Sequence, residues 1–321
     1  MFEVSVVIPV YNASKYVERA VDSALIQPEV KEVLLIEDNS PDDSYHLCIE
    51  LQKKFQHKVK VFIHKGHLNK GAAACRNLGI ENASYPFIAF LDADDFYLPG
   101  RFKTTQIVFS NNSEADGVYE AIGTHAYDQK GYEMHIERIN ACKIEGLNPE
   151  YTTLTKHIPP EELFEALVYL KYGWFHFGGL TLHAKFKDKT GLIKEELSRY
   201  GEDNEFFLRL ALKAKLYPGN IESPVAKRGV YADNVTLNTS ENQEVMRRTF
   251  HGSVILYKFV FNEMILGSYS KKFNRYSLMR HLDHYSVSFL FRKVNFLRKL
   301  IKMFNLMKII IKNPIIIRKI I

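Results

Sequence analysis

The first chemistry this sequence offers is a set of carboxylates at the end of an apolar run. Phe90-Leu91-Asp92-Ala93-Asp94-Asp95 carries three of them, and charges beside a buried strand are costly unless a cation or hydrogen bonds hold them. Spacing by two in an extended segment predicts that Asp92 and Asp94 point to the same side. That arrangement suits a hard divalent ion shared between a carboxylate and diphosphate oxygens. Read alone, the same residues equally fit an acidic turn ahead of a helix near Pro99. Glu37-Asp38-Asn39-Ser40 offers two further acceptors, suited to a base N–H or a ribose hydroxyl. Asn69-Lys70-Gly71 makes a flexible turn before a helix that carries Arg76. From the first turns Arg76 reaches a phosphate or a base, or forms a surface salt bridge. Glu202-Asp203 precedes a run in which Phe206, Phe207 and Leu210 share a face, a position that by itself implies helix capping worth about 1 kcal/mol.

These groups act together only if the fold gathers them. Glu3 to Pro9 reads as a strand, and from Ser14 a helix places Tyr16, Val17, Ala20, Val21, Ala24 and Leu25 on one face. The unit repeats, with strands at 32–37, 59–64 and 87–91 and helices at 42–55 and 71–80. Strands alternating with helices predict an α/β fold with a doubly wound, mostly parallel sheet. Ligands bind at the carboxyl ends of such strands, so Pro9–Asn12, Glu37–Ser40, Lys65–Lys70 and Asp92–Asp95 are expected on one rim. Beyond residue 100 the alternation is lost. A hairpin-like stretch at 117–144, a short helix at 159–170 and a strand at 174–183 predict a mixed half that covers the site. In that strand Trp174 offers a face for a sugar ring or for core packing, and His176 alternates with Phe175 and Phe177.

The motif set resembles the family 2 glycosyltransferases, which have the GT-A fold. Pro9-Val10-Tyr11-Asn12 is similar to the family's P-x-Y-N, Glu37-Asp38-Asn39-Ser40 to its D-D-G-S, and Asp92-Ala93-Asp94 to its D-x-D. Asn69-x-Gly71-x-x-x-Cys75-Arg76-Asn77 is similar to N-x-G-x-x-x-A-R-N, and Gly201-Glu202-Asp203 to the E-D motif ahead of an F-x-L-R helix. The match spans residues 3–210. It implies an inverting, metal-dependent transferase that takes its sugar from a nucleotide-diphosphate donor, with UDP the expected nucleotide. Donor binding would fall to Pro9, Tyr11, Asn12, Glu37, Asp38, Asn69, Gly71, Arg76, Asp92, Ala93 and Asp94, with Mn2+ or Mg2+ on Asp94. Asp203 would be the general base, and Trp174, His176 and Glu202 would meet a glycan or lipid-linked acceptor. The chain departs from the pattern at Glu37, Asn39 and Cys75, and has Tyr231 where the family often has His. Lys227 and Arg228 either bind the diphosphate or are solvated charges. A catalytically silent nucleotide-sugar-binding or scaffold protein is the alternative with the same fold.

Composition sets the surroundings. With 321 residues, 46% hydrophobic and 25% charged, the chain can bury a sizeable core. Two halves of one domain and an appendage are expected: a nucleotide-sugar-binding half at 1–100, an acceptor-binding and catalytic half at 101–240, and a helical appendage with a basic amphipathic tail at 241–321. The opening MFEVSVVIPVYN has no secretory pattern, and Cys48, Cys75 and Cys142 form no C-x-x-C pair. Both features predict a reducing, cytoplasmic setting. Residues 289–321 contain nine Lys or Arg and no Asp or Glu, so the net charge of +6 leaves the remainder at −3. No apolar run there approaches the roughly 18–20 residues of a spanning helix. A basic amphipathic end predicts peripheral attachment to the inner face of the cell membrane, or packing on protein. Nucleic acid is not an expected partner, because the charge is interleaved with Ile and Leu rather than aromatic platforms.

Overall fold

The computed structural model describes residues 1–141, 148, 150–168, 172–197 and 201–232. The chain divides into units Met1–Arg248 and Thr249–Ile321, and every described residue belongs to the first. The helical reading of 241–290, the basic tail and Cys142 lie outside the described residues.

The first half alternates as the apolar periodicity predicts: β1 (Val4–Val10), α1 (Val17–Leu25), β2 (Val30–Glu37), α2 (Ser44–Lys54), β3 (Val59–Ile63), α3 (Ala72–Asn82) and β4 (Phe87–Phe90). β1 pairs in parallel with β2 on one side and β4 on the other, placing Val7 between Leu34 and Phe90. Both faces of β1 are covered, so six of its seven residues are buried, the pattern of a central parallel strand. α1 buries Val17, Ala20, Val21 and Ala24. α3 lies close on the sheet because Gly79 has no side chain: a Cβ there would sit 2.3 Å from Val7 Cγ1.

The second half contributes β5 (Phe96–Tyr97), α4 (Lys103–Asn111), β6 (Gly117–Tyr119), β7 (Ile122–Ala126), α5 (Gln129–Ala141) and α6 (Pro160–Val168). It ends with β8 (Leu180–His183), α7 (Phe186–Thr190), α8 (Glu202–Lys213), β9 (Leu216–Pro218) and β10 (Ala226–Val230). The main sheet runs β3-β2-β1-β4-β8-β6-β9, with β8 antiparallel to both β4 and β6. A smaller sheet, β5-β10-β7, stands beside it.

Two expectations fail here. Of the hairpin expected at 117–144, the described residues 117–141 form none: β6 joins the main sheet and β7 the smaller one, and α5 follows. The chain changes sheet at Glu120, whose buried carboxylate pairs with the buried Arg101 and accepts a 2.7 Å hydrogen bond from Thr105. The expected strand at 174–183 begins only at Leu180, because Phe177–Gly179 form a 3-10 turn. His176 Nδ1 caps that turn by accepting from the Gly178 amide at 3.1 Å.

Candidate active site

Three strand ends carry the only non-glycine residues with positive φ among the described residues: Asn12 after β1 (51°), Asn39 after β2 (57°) and His67 after β3 (50°). Left-handed backbone costs energy outside glycine and clusters at functional loops. The loops interlock, since the amides of Asn12 and Ala13 donate to Ser40 Oγ (3.2 Å) and Ser44 Oγ (2.9 Å). The buried Glu37 carboxylate accepts from the amides of Asn39 (3.1 Å) and Ser40 (2.6 Å) and meets His67 Nε2 at 2.8 Å. Burial pushes its pKa up, yet these hydrogen bonds outweigh burial and hold it below the usual range. Asp38 accepts from the amides of Lys70 (2.7 Å) and Gly71 (2.8 Å), and Asn69 donates to the Asp38 carbonyl at 2.9 Å. Glu37 and Asp38 thus tie three loops into one floor. Pro9 and Val10 end β1 beside them, and Tyr11, Asn12 and Asn69 stand exposed on its rim.

The aspartates form a turn, closed by the Asp95 amide donating to the Asp92 carbonyl at 3.0 Å. The turn replaces the extended backbone from which the alternation of Asp92 and Asp94 was expected, and the charge of Asp92 acts on Asp94 across it. Asp92 Oδ1 pairs with Arg76 Nη2 at 2.6 Å, and Oδ2 lies 4.0 Å from His176 Nε2. Asp94 and Tyr231 act on each other electrostatically. Asp95 accepts from the Gly229 amide at 2.9 Å, and Ala93 is buried in the core between them.

Arg76 is no surface cation: it is 5% exposed and its guanidinium lies 4.1 Å from the Phe177 ring centre. Burial drives the Asp92 pKa up, but the Arg76 guanidinium and then His176 outweigh it and keep Asp92 below the usual range. Burial, then the charge of Asp92, pushes Asp94 up to about 6. Burial, then the charges of Asp94 and Asp92, also pushes Asp95 well above its ordinary value.

Asp203 sits in the first turn of α8 after Gly201 (φ 101°) and accepts the Asn204 amide at 2.8 Å. Its pKa is raised by burial and by Asp92, while Arg76 opposes the rise. Both Glu202 and Asp203 act on Arg76 electrostatically, so the second acidic pair converges on the first. Neighbouring motif residues hold the frame. Asn77 exchanges hydrogen bonds with the backbone of Ile193 (2.8 and 2.9 Å), and Arg209 anchors Glu205 and the Leu192 carbonyl. Trp174 packs against Phe175 and Phe207. Its buried Nε1 has no hydrogen-bond partner among the described residues.

The donor set fits a hard divalent cation. Ligand atoms of Asp92, Asp95 and His176 lie within 4.8 Å of one another, and the raised Asp94 and Asp95 mark negative charge that a cation would neutralise. Asp38, His64 and Cys75 make a second group of that kind, but burial and Asp38 keep the Cys75 thiol protonated, and both Asp38 oxygens already accept amides. A thiol is not the metal-binding form.

The end of β10 brings Arg228, Gly229 and Tyr231 to the aspartate turn; the sequence left Arg228 between diphosphate binding and solvated charge, marked Tyr231 as standing where the family often has His, and did not single out Gly229. A glycine inside a short run, Arg228-Gly229-Val230, is a sign of close backbone approach.

A parallel nucleotide-binding half, a mixed second half and an acidic turn between them define a GT-A glycosyltransferase. Residues 5–167 match the profile of Glycosyl transferase family 2, and the chain belongs to that family. An uncharacterized glycosyltransferase of Rickettsia conorii is 35% identical over 84% of this chain and 38% of its own length. The minor teichoic acid biosynthesis protein GgaA of Bacillus subtilis is 22% identical over 86% of this chain and 56% of its own. The succinoglycan biosynthesis protein ExoU of Rhizobium meliloti is 38% identical over 67% of this chain and 58% of its own. The chain therefore spans between about two fifths and three fifths of the length of these relatives. Among solved structures, S. aureus TarS 1–349 in complex with UDP superposes with a TM-score of 0.52 at 18% identity, over 88% of this chain and 80% of that one.

Proposed function

We propose that this glycosyltransferase moves a sugar from a UDP-sugar to an acceptor hydroxyl with inversion, in the assembly of a cell-surface polysaccharide on the inner face of the membrane. The observation that carries the reading is the convergence of Arg76, Asp92, Asp94, Asp95 and Asp203 beside the carboxyl ends of the parallel strands. The names of GgaA and ExoU support a polysaccharide product, and the UDP and UDP-GlcNAc complexes of TarS support the donor. Membrane attachment would fall to residues 289–321, and no helix among the described residues is long and apolar enough to cross a membrane.

Exposed Tyr11 and Asn12 flank the nucleotide floor built by Glu37, Asp38 and Asn69. Asp94 with Asp92 or Asp95 would hold Mn2+ or Mg2+, which when bound neutralises charge developing on the diphosphate leaving group. Arg76, restrained by Asp92 and Phe177, adds fixed positive charge at the same point. Asp203 takes the proton from the acceptor hydroxyl as that oxygen attacks the anomeric carbon. Its raised pKa makes it a stronger base than an ordinary aspartate. Trp174, His176 and Glu202 flank the side from which an acceptor would approach.

Calorimetric titration with UDP, GDP and dTDP, each with and without Mn2+, tests the donor half. Metal-dependent binding of UDP, lost in Asp94→Ala, is the expected result. A folded protein that binds none of the three would instead point to the silent scaffold.

A further inference from the structure

Glu37 and Asp38, the acceptors that the sequence offers to a base N–H, both turn inward. Glu37 is fully buried and Asp38 is 3% exposed. Each of their four carboxylate oxygens already accepts an amide, from Asn39, Ser40, Lys70 or Gly71. What reaches outward from this floor is His67. Its Nε2 meets Glu37 Oε2 at 2.8 Å, while its side chain is 38% exposed. Its ring centre lies 5.1 Å from that of Tyr45, an exposed residue in the first turn of α2. His67 stands between Ile63 and Asn69, in none of the motifs read in the sequence, and holds left-handed backbone with φ 50°. Such strain persists where surrounding contacts impose it, and it clusters at ligand sites.

The contact with Glu37 fixes what the second ring nitrogen can do. An ionised carboxylate only accepts, and the hydrogen bonds around Glu37 hold it ionised, so Nε2 carries the proton. In a neutral imidazole the other nitrogen is then an acceptor, and Nδ1 has no hydrogen-bond partner among the described residues. The geometry points to His67 as a specificity-determining residue for the donor: held by Glu37, it presents Nδ1 as the acceptor for an N–H of the nucleobase, beside the ring of Tyr45. Uracil joined to ribose has a single N–H, on its ring nitrogen N3, so that is the group read. The inference rests on the UDP reading of the donor site and adds to it a residue outside the motifs.

The test is calorimetric titration of the full chain, with Mn2+ present, against UDP and against UDP methylated at N3 of uracil, which lacks that N–H. Wild type should bind UDP about 3–10-fold more tightly than the methylated form, the size of one net hydrogen bond. His67→Phe keeps a ring beside Tyr45 and removes both nitrogens. His67→Asn keeps a residue at ease with positive φ, but one too short to span from Glu37 to a base, and it carries the test should His67→Phe fail to fold. In either folded variant UDP affinity should fall about 3–10-fold while the methylated form binds as it does to wild type, so the preference disappears. A preference for UDP that survives in folded His67→Asn, or an equal weakening of both nucleotides, would make His67 a structural part of the loop and overturn the inference while the donor site stands. Wild type that binds both nucleotides equally would overturn it as well. Wild type that binds neither would overturn the UDP reading together with it.

Discussion

At the residue scale the site is an exercise in charge balance. Arg76 acts on Asp92, Glu202 and Asp203, and Arg228 on Asp92, Asp94 and Asp95, yet burial, followed by the neighbouring carboxylates, raises the pKa values of Asp94, Asp95 and Asp203. For Asp203 the consequence can be followed through sign by sign. A folded-state pKa above the unfolded one means that, between the two values, the native chain holds more protons, so stability falls as pH rises through that window. At neutral pH Asp203 therefore costs stability that Asn would not. Asp203→Asn should cut kcat/KM by about 10²–10⁴-fold, leave nucleotide affinity intact and unfold at an equal or higher temperature. That stability gain should fade as pH drops below the ordinary aspartate range. In the wild type, kcat/KM should decline as pH falls, with its acid limb above that range; full turnover in the variant would remove Asp203 as base. Arg76, Asp92 and Asp203 were legible in the sequence because short motifs hold them. Asp95 stood in the same acidic run as Asp92, but its pairing with Gly229 did not show, since the two are 134 positions apart in sequence and no local pattern reports such a pairing.

Elements behave differently according to where their partners lie. The boundaries of β1, β2, β3, α1, α2 and α3 follow from apolar periodicity, because each is buried against its sequence neighbours. β6, β7 and β8 are three to five residues long and find partners far along the chain, so their local pattern fits a hairpin or a longer strand equally well. The same contrast separates two glycines. Gly79 lets α3 onto Val7, and Gly229 lets β10 onto Asp94. Adding a methyl group at either site overpacks it, at about 1–3 kcal/mol. Gly79→Ala should lower the denaturation midpoint while the folded fraction binds nucleotide and Mn2+ normally. Gly229→Ala should lower both the midpoint and Mn2+ affinity, because the displaced atoms belong to the aspartate turn itself. If Gly229→Ala bound Mn2+ as tightly as wild type, β10 would be a structural strand without influence on the site.

Over the whole molecule, charge is segregated: nine basic residues without an acid stand at 289–321, and the rest of the chain carries −3. A uniform distribution would leave little to attract an anionic surface, whereas this one concentrates the attraction in a single segment interleaved with Ile, Leu and Phe. Each Lys or Arg held near an anionic bilayer contributes about 1 kcal/mol, and salt screens the attraction within about 10 Å at 0.1 M. The prediction is that the full chain floats with vesicles containing phosphatidylserine or phosphatidylglycerol and stays behind with phosphatidylcholine alone. High salt should weaken the association. Replacing the nine basic residues by Gln should abolish it while leaving UDP binding unchanged, because every residue assigned to the nucleotide lies between Pro9 and Asp94. Association that survives this replacement would mean that the segment packs on protein through its apolar face, and that a lipid-linked acceptor must be brought to the enzyme some other way.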